Sequence, residues 1–209
     1  MATDYTVKQG DHLAKIAKRF GFLSVRLIWN HPKNAKLRKL RQNPNVLLPG
    51  DVVHVPDRTA KIVSRSVGQQ HTFQLRGEAL LVRVVLLDLR RELIPGEKVT
   101  LVLGNEMELS TDGEGKLEHQ IDPSTELGAI RLKHGDADLR VGHLDPIEEE
   151  SGVRARLSNL GYLIGEVEDA EDVEELKLAL QEFQADFALP FTGELDDATR
   201  SKLLEVHGC

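Results

Sequence analysis

Hydrophobic positions along the chain follow three successive rhythms. In residues 1–58, a β-type run at Tyr5-Thr-Val7 and a Gln9-Gly10 turn precede Leu13, Ile16, Ala17 and Phe20. Their i, i+3, i+4, i+7 spacing predicts one apolar helical face. Asp11 is the expected N-cap and Gly21 the expected stop. Ser24 is placed to cap a second helix that turns Val25, Ile28 and Trp29 inward, and His31-Pro32 breaks it. Asn43-Pro-Asn45 and Pro49-Gly50 read as turns before a closing strand, Val52-Val-His-Val55, stopped by Pro56. The predicted order is βααβ.

In residues 59–147 the helical period gives way to alternation. Phe73/Leu75, Val99/Leu101/Leu103, Leu117/His119/Ile121, Ile130/Leu132 and Leu139/Val141 are separated by turn clusters such as Pro95-Gly96 and Thr111-Asp-Gly. Short strands at this spacing predict an antiparallel sandwich, with Ala79–Leu87 as its most buried strand. Helical spacing returns in residues 148–209, after an expected linker at Glu148–Gly152. Val153, Leu157, Leu160 and Leu163 form one face; Val173, Leu176, Ala179, Leu180, Phe183 and Phe187 form another. A third helix is expected to start near Asp196 or Asp197, burying Leu195, Leu203 and Leu204. The fold class is therefore multidomain α+β, in three modules.

Composition narrows the classes. With 40% hydrophobic and 29% charged residues in 209, disordered and fibrous chains are excluded. The longest apolar stretch, Ala79–Leu87, is interrupted by Arg83 and is too short to span a bilayer, so no membrane insertion is expected. The start carries no basic or apolar leader, so cytoplasmic synthesis without a signal peptide is expected. One cysteine, Cys209, allows no internal disulfide.

The net charge of −7 is unevenly spread. Residues 1–60 hold 11 Lys/Arg against 4 Asp/Glu, residues 61–147 hold 11 against 14, and residues 148–209 hold 5 against 16. The basic end has few aromatic residues free for base stacking, which argues against nucleic acid. Its Lys36, Arg38, Lys39 and Arg41 are instead candidates for an acidic partner. One option is the acidic stretch Glu166–Glu175 of the same chain.

The motifs "YTVKQGDHLAKIAKRFGF", "IWN" and "NPNVLLPGDVVHVP" resemble a LysM domain along residues 1–58. The resemblance implies binding of N-acetylglucosamine polymers, chiefly peptidoglycan and chitin, in a groove between two loops. Here those loops are Gly10, Asp11, His12 and Leu13 on one side and Asn45, Val46, Leu47, Leu48, Pro49 and Gly50 on the other. Backbone N–H and C=O groups suit acetamido and hydroxyl partners. His12 stands where the family has Thr or Ser, and the segment 31–44 is longer than usual. "VRARLSNLGYLIG" and "ALQEFQADFALPFTGELDDATRSKL" resemble the three-helix peptidoglycan-binding domain of many cell-wall hydrolases. "GEKVTLVLGNEMELSTDGEGKLEHQI" is similar to immunoglobulin-like β domains of type VI secretion-associated proteins, where they lie between a LysM and a peptidoglycan-binding domain.

No His pair has a common zinc-ligand spacing, and Cys209 sits at a frayed end. No cofactor, metal or catalytic residue is expected. The expected function is noncatalytic peptidoglycan recognition or adaptation, linked to a type VI or related contractile apparatus that could deliver the protein to the periplasm or a target cell. Two alternatives stand beside it: an accessory protein that loads an effector on the secretion spike without sugar binding, and a cryptic wall hydrolase.

Overall fold

In the computed structural model, residues 2–59, 62–73, 77–88, 90–133, 135–162 and 173–208 are described. Strand β1 (Thr3–Thr6) pairs antiparallel with β2 (Val52–Val55), Thr3 opposite Val55 and Thr6 opposite Val52. Between them lie α1 (Leu13–Arg19), the single turn α2 (Arg26–Trp29), a 3-10 turn at Pro32–Asn34 and α3 (Ala35–Leu40). Leu13, Ile16 and Ala17 point into a core with Val7, Ile28, Leu37, Leu47, Val53 and Val55, and Phe20 and Trp29 pack against it. The buried amide of Asn34 fastens the helical side to β2. Its Nδ2 donates to the carbonyls of Ile28 (2.8 Å) and His54 (2.7 Å), and its Oδ1 accepts from the His54 N–H (2.8 Å).

Residue 12, not Asp11, is the N-cap of α1, and it makes no side-chain capping bond. The Asp11 carboxylate faces the other way, accepting the Tyr5 hydroxyl at 2.6 Å and the Lys8 N–H at 3.0 Å. A turn N-terminal to the helix outcompetes the cap because it offers two donors, one of them a side chain.

Six strands follow: β3 (Leu80–Val85), β4 (Lys98–Val102), β5 (Glu106–Ser110), β6 (Lys116–Ile121), β7 (Leu127–Leu132) and β8 (Gly135–Arg140). They make a two-stranded sheet, β3-β6, and a four-stranded sheet ordered β5-β4-β7-β8, all antiparallel. Leu86, Val99, Leu101, Leu117 and Ile130 form the shared core, joined by Val82 and Val84. The most buried strand is β4, not the Ala79–Leu87 run. Val99 and Leu101 are sealed by neighbours on both edges, whereas β3 has a partner on one edge only and none of its residues is fully buried. Phe73 is 66% exposed, and among the described residues from 56 to 79 no strand forms.

The last module contributes α4 (Glu150–Asn159), α5 (Val173–Asp186) and α6 (Asp197–His207). Val153, Leu157, Tyr162, Ala179, Leu180, Phe183 and Leu203 build its core with Ile147. Asp196 caps α6 by accepting from the Thr199 N–H at 2.7 Å, and Gly208 ends it in the left-handed conformation. Within the expected linker at 148–152, Glu149 is instead the N-cap of α4 and residues 150–152 belong to its first turn. Gly152 is buried so tightly that a Cβ there would lie 2.0 Å from the Pro146 carbonyl oxygen. Val173, expected inward, is 73% exposed, and Leu163 lies outside the described residues. The three cores share no residue. Among the described residues no helix is long and apolar enough to cross a membrane.

Candidate functional site

The loops flanking the anticipated sugar groove come together through the backbone. The Leu13 N–H donates to the Pro44 carbonyl at 3.1 Å, and the Gly50 N–H donates to the Val7 carbonyl at 2.9 Å. Val46 and Leu47 are core residues, Leu48 is half-buried, and Asn45, Pro49 and Gly50 are exposed. Many of the backbone donors are already engaged. Asp11 N–H bonds to the Lys8 carbonyl, Asn45 N–H to Asn43 Oδ1, Val46 N–H to the Asn43 carbonyl and Leu48 N–H to Asp51 Oδ2. The exposed rim at residues 45–50 thus offers a shaped surface more than a row of open donors.

The opposite loop is covered. Gly10, Asp11, His12 and Leu13 are all buried: Leu13 in its own module's core, Asp11 against Tyr5 and Lys8, and Gly10 and His12 beneath the turn after β8. A Cβ at Gly142 would lie 2.8 Å from the Gly10 carbonyl oxygen and 3.0 Å from His12 Cδ2. A Cβ at Gly10 would meet the His143 ring at 3.2 Å. Both glycines have positive φ, +79° and +78°, where a side chain would also be strained. Two ion pairs clamp the same contact: Lys15 Nζ to Glu126 Oε1 at 2.6 Å and Lys18 Nζ to Asp122 Oδ1 at 2.5 Å. Lys15 also donates to the Gly10 carbonyl at 3.0 Å. These hydrogen bonds hold the Glu126 and Asp122 carboxyls below their ordinary values.

His12 sits at the centre, 2% exposed, with neither ring nitrogen in a hydrogen bond. The Pro123 carbonyl is near without reaching bonding geometry. Burial, helped by the Lys15 charge and opposed by Asp11, lowers its pKa to about 4. The imidazole is therefore neutral at physiological pH.

The basic segment divides by orientation. Lys36 and Lys39 are exposed on α3, beside Leu40 at 56% exposure. Arg38 turns back to donate to the carbonyls of Trp29 and His31. Arg41 is 7% exposed and pairs with Asp51 at 2.9 Å, so its charge is balanced within its own module. Of the acidic stretch 166–175, offered as a dock for this segment, residues 166–172 lie outside the described residues.

A second junction joins the β-module to the last module. Arg91 lies 4.0 Å over the Tyr162 ring and pairs with Glu182 (2.7 Å) and Asp186 (2.8 Å). The Tyr162 hydroxyl donates to Asp186 at 2.9 Å, and burial first, then this bond, raises its pKa well above the ordinary value. The uneven charge of the sequence is thus met module to module: lysines of residues 1–58 against β-module carboxylates, a β-module arginine against C-terminal carboxylates. The sequence flagged none of Lys15, Lys18, Arg91, Asp122, Glu126, Gly142 or His143. Each pairs across about 70 to 130 residues, and no local pattern marks such pairs. Among the described residues no three His, Cys, Asp or Glu side chains gather to hold a metal; His134 lies outside them.

Comparison with known families matches residues 5–36 to the LysM domain and residues 152–203 to the peptidoglycan binding domain. No curated protein and no solved structure matches the chain. The LysM match covers the first groove loop and stops before the second. Both families are binding modules, not catalytic ones. The chain therefore contains a LysM domain near its start and a peptidoglycan-binding domain near its end, and both support peptidoglycan as its ligand.

Proposed function

We propose that this protein is a noncatalytic peptidoglycan-recognition adaptor of three modules, 1–58, 59–147 and 148–209. It works with a type VI or related contractile secretion apparatus, which carries it to the periplasm or a target cell. The observation that carries this reading is the pair of peptidoglycan-binding domains at either end of a β-module, each with its own core. The β-module, of immunoglobulin-like type in this reading, spaces and joins them. The rim formed by exposed Asn45, Pro49 and Gly50 with half-buried Leu48 is the glycan-contacting face, and Lys36 and Lys39 are left for a spike or effector protein.

Co-sedimentation with insoluble peptidoglycan tests the reading. The wild type should sediment, Leu48→Asp should sediment less, and dye-labelled wall should release no dye. Dye release would replace the adaptor with a hydrolase. A second reading, a loading accessory without sugar binding, is favoured by the burial of the Gly10–Leu13 loop. No sedimentation of the wild type under any salt condition would favour it.

A further inference from the structure

The rim of the LysM groove that holds Gly10, Asp11 and His12 faces protein, not solvent. Gly142 packs on the Gly10 carbonyl and the His12 ring, His143 packs on Gly10, and Lys15 occupies the Gly10 carbonyl while holding Glu126. The core of residues 1–58 and the β core share no member. At the rim lie two exposed ion pairs and one buried imidazole without a hydrogen-bond partner, and the imidazole gains nothing polar from being there; away from the rim, Glu78 ties the two modules through Arg26, the Val25 N–H and the Leu23 carbonyl. A close contact held at its rim by exposed charge pairs is suited to being broken.

We infer that the β-module is a removable cover for the LysM groove. The closed chain withholds the Gly10–His12 rim, and an N-acetylglucosamine polymer gains the full groove only after residues 122–126 and 141–143 withdraw. Docking and glycan binding compete for one surface, so each weakens the other, and the apparent affinity is scaled by the fraction of open chain. This rests on the glycan-binding reading above and adds its regulation.

The test fixes the cover in place. In the full chain with Cys209→Ser, Lys15→Cys and Glu126→Cys are bridged by a short bismaleimide, and binding of an N-acetylglucosamine oligomer is compared before and after bridging. The unbridged protein should bind and the bridged one should lose binding by roughly tenfold or more. Charge reversal supplies the opposite perturbation. Lys15→Glu with Lys18→Glu should gain on the order of tenfold over wild type, and adding Glu126→Lys with Asp122→Lys should return it to the wild-type level. Equal binding by the bridged and unbridged forms overturns the cover. Absence of binding in every form, including the charge-reversed one with an enlarged radius of gyration, overturns the glycan reading itself, and the cover with it.

Discussion

Acid should loosen the protein through His12 before its carboxylates respond. Unfolded, the imidazole takes a proton near pH 6.5; folded, burial delays this to about pH 4. Between those values the unfolded chain binds more protons, so stability falls as pH falls. The contribution is complete above about pH 6.5 and is lost on the way down to about pH 4. A tenfold change in proton affinity corresponds to ~1.4 kcal/mol, so the loss reaches ~2 kcal/mol at pH 5 and ~3 kcal/mol at pH 4. Lys15, Asp11, His143, Glu126 and Asp122 face the ring or its neighbours. Asp122 and Glu126 lie below their ordinary carboxyl values, so their protonation is displaced toward lower pH than that of a free carboxyl. The assay is urea unfolding from pH 7.5 to pH 5, followed by Trp29, the single tryptophan and a neighbour of the LysM core. Wild type should lose ~2 kcal/mol more than His12→Leu over that range. At pH 7.5 His12→Leu should equal or exceed wild type by ~1 kcal/mol, because two buried unpaired nitrogens are removed. Parallel pH profiles for the two proteins would refute the reasoning.

Two other substitutions probe the end modules. Gln184, fully buried in α5, accepts from the Thr192 and Gly193 N–H groups, both at 2.9 Å, and donates to Thr192, Glu194 and Thr199. Gln184→Ala strands those groups and leaves a cavity, and should cost ~3 kcal/mol in calorimetry, with the loss confined to the C-terminal transition. Arg41→Met leaves Asp51 buried without its guanidinium and should destabilise the LysM core by ~3 kcal/mol in urea; adding Asp51→Asn should recover part of that.

Much of the local structure was legible from periodicity. The α1 face at Leu13, Ile16 and Ala17, the alternation at Val99/Leu101 and Leu117/Ile121, and the Asp196 cap all follow from rules acting over a few residues. Asp11 misled, because a carboxylate that can cap a helix can equally accept from Tyr5 and Lys8, and only the tertiary position of Tyr5 decides. The hydrophobic run at 79–87 misled for a different reason. Apolar content sets how much a strand can bury, whereas the number of neighbouring strands sets how much it does. The loops of the candidate groove were legible as turns, through Gly10 and Pro49-Gly50. The covering of Gly10 and His12 was not, since it depends on Gly142 and on lysine–carboxylate pairs more than a hundred residues apart.

The junctions have a mechanical consequence. Lys15, Lys18 and Arg91 reach across module boundaries with charged tips, and such bonds give way once their ends separate by a few ångströms. A chain pulled from its two ends would therefore yield at these seams first. Pro56 to Gly77, without helix or strand among its described residues, then provides extension on the order of 70 Å. All three cores would stay folded while the tether lengthens, so the molecule would absorb a pull by paying out chain and recover its length when the load is released.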